Sequence, residues 1–275
     1  MKTKSLMFLV LLIGGIMMTG CNSKKYRPDN SVVKAFNQAY PKAAKIEWEQ
    51  KSGYEVAEFH DDGIQKEAWF DKNGKWAMTE SKIKYNALPR EIRNHFEKSI
   101  NGTWKKEDME KIEQAGMKPI YVIEIEKGGL DTDLYYTEDG NLAHAINDIK
   151  KESKRGYTPT TAAMTALVRQ KYPDATIITS ELEKGKYEID IWDNGRAKEV
   201  IYQGNKWEST SWKVSKSEVP TVVMEAYRKS AYGKYAIDDK HYIETPQRSF
   251  YRIELEQGGK EVHLSIDQNG NVKED

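Results

Sequence analysis

Cysteine is all but missing from this sequence. Of 275 residues only Cys21 carries a thiol, so no disulfide within the chain can staple the fold and no cysteine pair can hold zinc. Excess charge of either sign is missing too. Lys and Arg number 43 against 43 Asp and Glu, which removes the electrostatic footprint of a nucleic-acid binder. Hydrophobic residues reach 38% with tyrosine counted, too few for a parallel sheet buried on both faces, and thin two-layer domains fit better. There is no Gly-x-Ser-x-Gly elbow, phosphate-binding glycine loop or dinucleotide fingerprint, and His60, His95, His144, His241 and His263 lack the His-Glu-x-x-His spacing. No nucleophile or metal-bound water stands out to carry a reaction, and a protein that is not an enzyme and needs no cofactor is expected. Aromatic residues make up 11%, which argues against a disordered chain.

What is present begins at the N-terminus. Lys2 and Lys4 precede an apolar run from Leu6 to Met18, interrupted only by Gly14 and Gly15. This is a charged segment followed by an apolar one too short to span a bilayer as an ordinary helix. It closes on Met18-Thr19-Gly20-Cys21, which resembles a bacterial lipoprotein signal, although Met18 stands where leucine is commoner. That resemblance implies cleavage before Cys21 and acylation of Cys21. An ordinary secretory signal with an incidental thiol is the alternative. Several acyl chains, each contributing about 0.8 kcal/mol per buried methylene, would hold the protein firmly to a membrane. Asn22 follows where proteins retained at the inner membrane carry Asp, so the resemblance implies an outer membrane lipoprotein, on the periplasmic side or the cell surface. Loss of residues 1–20 leaves 41 basic against 43 acidic residues.

The remainder repeats itself with a period of about 131 residues. Tyr40-Pro41 recurs as Tyr172-Pro173, Tyr54-Glu55-Val56 as Tyr187-Glu188-Ile189, and Lys75-Trp76 as Lys206-Trp207. Tyr121, Ile123, Glu124, Glu126, Gly128 and Gly129 return as Tyr251, Ile253, Glu254, Glu256, Gly258 and Gly259. Each copy contains two short amphipathic helices. The first presents Val32, Val33, Phe36, Ala39 and Tyr40; the second follows Leu88-Pro89 and is expected to bury Ile92, Phe96 and Ile100. The third is expected to start at an N-cap Thr158 and bury Met164, Leu167 and Val168, and the fourth uses Val223, Ala226 and Tyr227. Between them, apolar and polar residues alternate and turns such as Asn73-Gly74, Gly128-Gly129 and Asn194-Gly195 recur, the pattern of antiparallel hairpins with one face buried and one wet. The expected fold class is α+β, with helices packed on one face of antiparallel sheets. The expected organisation is a signal peptide at 1–20, a tether at 21–30, one domain at 31–147 and a second at 156–275, joined by a charged linker.

The helix, the Tyr-Pro break, a strand ending in Trp48, Tyr54-Glu55-Val56 and a strand closing on Asn73-Gly74-Lys75-Trp76 resemble the PepSY-like, β-lactamase-inhibitor-like family of secreted Bacteroidetes proteins. The resemblance extends over nearly all of residues 30–275. It implies tandem domains folded like β-lactamase inhibitory protein, a sheet surface that binds a partner, an envelope location and a role for calcium. It supplies no enzymatic residues.

Strand parity nominates the surface. Counting alternate positions puts Glu47, Glu49, Glu55, Phe59, Glu67 and Trp69 on the wet face of the first copy, with Glu124, Glu126, Asp131, Asp133 and Tyr135 in its second half. The second copy offers Glu188, Asp190, Trp192, Glu254, Glu256 and His263. Carboxylates between large rings suit a basic protein or peptide of the envelope, the rings supplying buried area and the acids steering. Acids merely solvating an open sheet are the plainer alternative. Asp71 and Asn73, Asp193, and Asp267 and Asn269 place oxygen ligands at tight turns, and calcium is the ion they would take. None completes an EF-hand loop, and a hairpin turn accounts for the same residues. The expected function is therefore a lipid-anchored binding protein, inhibitor-like in character, with a calcium-responsive structural or sensor lipoprotein as the alternative.

Overall fold

The computed structural model describes residues 26–148 and 159–274. The expected signal peptide, Cys21, Thr158 and most of the linker lie outside the described residues. Two eight-stranded antiparallel sheets are present, each with its strands in sequence order. The first copy runs α1 (Asn30–Ala39), β1 (Ala44–Lys51), β2 (Tyr54–Asp61), β3 (Ile64–Phe70), β4 (Trp76–Lys82), α2 (Arg90–Lys98), β5 (Lys105–Gln114), β6 (Ile120–Lys127), β7 (Leu130–Thr137) and β8 (Leu142–Asp148). The second runs α3 (Ala162–Lys171), β9 (Thr176–Glu183), β10 (Lys186–Asp193), β11 (Arg196–Gln203), β12 (Lys206–Lys213), α4 (Thr221–Lys229), β13 (Ala236–Glu244), β14 (Ser249–Gln257), β15 (Lys260–Ile266) and β16 (Val272–Glu274). Although α2 intervenes, β4 pairs directly with β5, so each sheet is one meander interrupted by a helix.

The helices form where the sequence spaces apolar residues three and four apart. Val32 and Phe36 of α1 are fully buried against Ala57, Phe59, Ala68 and Phe70. Ile92 and Phe96 of α2 bury against Tyr121, Ile123, Ile125, Leu134 and Tyr136. Met164 and Val168 of α3 meet Ile189, Ile191 and Val200, while Val223, Met224 and Tyr227 of α4 meet Tyr251, Ile253 and Leu255. Ile100 departs from expectation: α2 ends at Lys98, and Ile100 stands 90% exposed in the turn beyond it. The N-cap of α3 is Thr161, whose hydroxyl accepts from the Met164 amide at 3.1 Å. Among the described residues no helix is long and apolar enough to cross a membrane.

Three hairpin turns dock on the start of a helix. Gly74, between β3 and β4, lies against the Ser31 carbonyl, Gly140 against Glu91 and Gly270 against Val222. All three have positive φ, the conformation that glycine adopts without cost.

Candidate functional site

Register sorts every strand residue onto one side or the other. Val56 lies opposite Trp69, Trp69 opposite Met78, Ile112 opposite Ile120 and Val122 opposite Tyr135. These residues alternate with the ones that touch α1 and α2. They build a separate apolar cluster with Tyr54 and Ala143, and its tenth member is Ile178 of the second copy, with Trp192 packed against it. The two copies therefore meet on this side. Tyr54 donates to the Pro159 carbonyl at 3.2 Å, Gln114 Nε2 to the Ile177 carbonyl at 3.1 Å, and His144 Nε2 stands 4.0 Å from Asp190.

Several nominated residues fall elsewhere than parity counting put them. Trp69 and Tyr135 are on the side away from the helices, but they are 5% and 6% exposed inside the seam. Trp192 shares that seam and is half-buried. Glu55 and Phe59 are on the opposite side from the one expected. The Phe59 ring meets Phe36 edge-on with centroids 4.9 Å apart. Glu55 is 6% exposed and accepts hydrogen bonds from the Tyr26 phenol at 2.5 Å and Gln50 at 3.2 Å, which fastens the N-terminal segment to the sheet. The cause is a one-residue slip. Glu49 pairs with Val56 and Lys51 with Tyr54 across the Ser52-Gly53 turn, so odd positions on β1 share a side with even positions on β2. Counting every second residue straight through the turn lands one position out. A slip of one exchanges the two faces of a strand.

Glu124, Glu126, Glu188, Glu254 and Glu256 lie on the side away from the helix contacts. Glu124 is opposite Asp133, Glu126 opposite Asp131 and Glu256 opposite Glu261. Glu188 pairs with Lys186 at 2.6 Å, and Glu254 stands 3.5 Å from His241 Nδ1. On the same side of β1 to β4, Glu47 faces Glu58, Glu58 faces Glu67 and Glu67 faces Glu80, a row of carboxylates running across four strands. Lys51 bridges Glu49 at 2.7 Å and Glu67 at 3.0 Å, and Gln65 donates to Glu58 at 2.8 Å. The local potential is visible in two carboxyls. Burial, then Asp108, raises Glu110 above the usual carboxylate range, with Lys82 opposing; burial, then Asp190 and Glu188, does the same to Glu199.

The turn carboxylates are engaged with their own backbone. Asp71 Oδ1 accepts from the amides of Asn73 and Lys75 at 2.8 and 2.9 Å, and Asp267 Oδ1 accepts from those of Asn269 and Asn271, both at 2.9 Å. These bonds shape the turns that dock Gly74 and Gly270 on helices. Asp193 is 4% exposed and paired with Lys198 at 2.7 Å. Among the described residues no group of three or more His, Cys, Asp and Glu could hold a metal ion.

One polar constellation was not anticipated. In the first copy Asp61 pairs with Lys66 at 2.7 Å, Lys66 lies over the Tyr40 ring, and the Tyr40 phenol and Trp76 indole both meet Thr79 Oγ1. Asp193, Lys198, Tyr172, Trp207 and Thr210 repeat it in the second. The recurrence of Asp61 and Lys66 as Asp193 and Lys198 at one shift was the available signal.

Comparison with known proteins adds a family. The model of the family described as "Putative beta-lactamase-inhibitor-like, PepSY-like" matches residues 53–144 and again 185–274. A BLIP-like protein from Bacteroides fragilis is 32% identical; the match covers 50% of this chain and 96% of that one, with a TM-score of 0.46. A DUF2874 family protein from Bacteroides ovatus is 28% identical over 44% of this chain and 89% of its own, with a TM-score of 0.43. No curated protein matches the chain.

Proposed function

Because the chain belongs to the PepSY-like, β-lactamase-inhibitor-like family, we propose that it is a lipid-anchored, non-enzymatic recognition protein of the bacterial envelope that binds a basic segment of a protein or peptide. Cys21 carries the anchor, residues 21–30 form the tether and the outer membrane is the site. The helices clad one face of each sheet, and the partner docks on the other face outside the seam. The docking surface is the acidic part of the first copy, from Glu58 and Glu67 to Glu124 and Glu126. The rings Trp69, Tyr135 and Trp192 hold the copies together and do not contact the partner.

The observation that carries this reading is the row Glu47, Glu58, Glu67 and Glu80 on neighbouring strands. Like charges directly opposite each other destabilise a sheet, and a cationic ligand laid across the row adds to the pairing that Lys51 and Gln65 already give Glu67 and Glu58. Titrating a fluorescent Lys- and Arg-rich decapeptide tests the reading. Binding should weaken steeply with salt and fall when Glu58 and Glu67 are both changed to Gln. Binding that ignores both salt and the double substitution, or no binding at all at low salt, refutes it.

A further inference from the structure

The second copy has a cleft of about 310 Å³. It opens on the side of the second sheet that carries the α3 and α4 contacts, Tyr251 of its lining packing with Val223 and Tyr227 of α4. Trp212 lies opposite Tyr242 on the next strand, and Tyr242 opposite Tyr251 on the one after. Ring centroids in this ladder are 4.9 Å apart at each step. The equivalent ladder in the first copy reads Ser81, Lys111, Tyr121. Two of three rings are thus particular to the second copy, although the constellation of Asp, Lys, Tyr, Thr and Trp beneath them is common to both.

The charges around the cleft cancel in pairs. Lys198 pairs with the buried Asp193 at 2.7 Å and lies 5.0 Å from the Trp212 ring centre. Arg196 Nη2 meets Glu218 Oε1 at 2.6 Å. The first copy has Ile64 and Ala87 at the beginnings and ends of the elements that supply Arg196 and Glu218. A cleft without net charge does not select an ion. One wall is aromatic, and the rim offers paired donors and acceptors at fixed spacing. A pyranose has a matching division, with an apolar C–H face that stacks on a ring and hydroxyls that take charge-assisted hydrogen bonds. The volume suits one or two sugar units.

We propose that this cleft binds a neutral saccharide unit, with the Trp212 ring as its platform and the Asp193, Lys198, Arg196 and Glu218 groups as its hydroxyl partners. The site belongs to the second copy's sheet and the proposed docking surface to the first copy's, so either can fail without the other.

Saturation-transfer NMR on the mature chain with the methyl β-glycosides of glucose, galactose and N-acetylglucosamine tests the proposal. Transfer to ring protons of at least one glycoside is expected. Trp212→Ser and Tyr242→Lys install residues that the first copy already accommodates in the same ladder, and each should weaken binding about tenfold or more while the melting temperature reports folding. Arg196→Ile, again the first copy's residue, serves as the second variant should Trp212→Ser unfold. No transfer to folded wild-type protein, or transfer that survives both Trp212→Ser and Arg196→Ile, overturns the proposal. So does tighter binding of tyrosinamide than of any glycoside, which would make the cleft a peptide side-chain pocket.

Discussion

The Tyr54 phenol donates a hydrogen bond to the Pro159 carbonyl at 3.2 Å, joining the second strand of the first copy to the entry of the second copy. Tyr54 is 8% exposed, with its ring 6.0 Å from that of Trp69. Tyr54→Phe keeps the ring and removes the donor, and should cost about 1 kcal/mol in urea unfolding.

The same phenol makes stability depend on alkaline pH. Burial first, and Tyr187 and Asp71 after it, push its pKa up to about 12 from the ordinary 10. A pKa raised on folding gives stability that is fully present below pH 10 and is lost as pH climbs toward 12. The urea midpoint of the native chain should fall over that window. Tyr54→Phe should show a shallower fall, the remainder belonging to other buried tyrosines. An unchanged slope would mean that Tyr54 reaches solvent and the seam is open there.

Ile178 tests the seam without a charge. It belongs to the second copy and is fully buried in a cluster whose other buried members are all first-copy residues. Ile178→Ala should cost about 2–5 kcal/mol, the range for a truncated core aliphatic. If the copies were independent modules Ile178 would be a surface residue, and the change would cost a few tenths of a kcal/mol at most.

Much of this body was legible in the sequence because repetition and alternation are local signals. Ile123 and Ile125 oppose Glu124 and Glu126 in the structure as they do in the pattern, α1 and α3 stop two residues before Pro41 and Pro173, and α2 and α4 start directly after Pro89 and Pro220. Ile100 misled because its spacing continues the stripe of Ile92 and Phe96 after the backbone has left the helix. Glu55 and Phe59 misled because alternate counting ran straight through the Ser52-Gly53 turn, where Lys51 pairs with Tyr54 and the parity of the outward positions changes. The seam was not legible at all. An apolar residue facing a helix and one facing a sister copy obey the same alternation, so Trp69 and Trp192 read as exposed binding rings when each was closing on the other copy.

Glu110 offers a prediction with the opposite consequence at neutral pH. Its carboxyl is held above the usual range, chiefly by burial and next by Asp108, with Lys82 on the neighbouring strand opposing. A raised folded pKa means that its contribution is complete below the unfolded value near 4.5 and is lost as pH rises through the folded one. At pH 7 the ionised group is therefore a burden. Glu110→Gln should raise stability at pH 7 by up to about 1 kcal/mol and leave it unchanged near pH 3. A loss of stability at pH 7 would show that the attraction of the nearby Lys82 charge, itself paired with Asp108, outweighs burial and repulsion.

Two glycines separate backbone strain from packing in the docking of turns on helices. Gly53 and Gly140 have nearly the same φ, +84° and +83°. A Cβ on Gly53 would meet nothing within 4 Å, whereas one on Gly140 would fall 2.8 Å from the Glu91 carbonyl carbon at the start of α2. Gly53→Ala should thus cost only the left-handed penalty of about 1–2 kcal/mol. Gly140→Ala adds a clash with backbone that cannot rotate away, so either the β7–β8 turn lifts from α2 or the helix shifts on Tyr136 and Leu134. Its cost should exceed that of Gly53→Ala by about 1–3 kcal/mol, the range for overpacking a filled site. Hydrogen exchange should show the excess as faster opening of the α2 amides. Equal costs for the two substitutions would mean that the turn rests on the helix without supporting it.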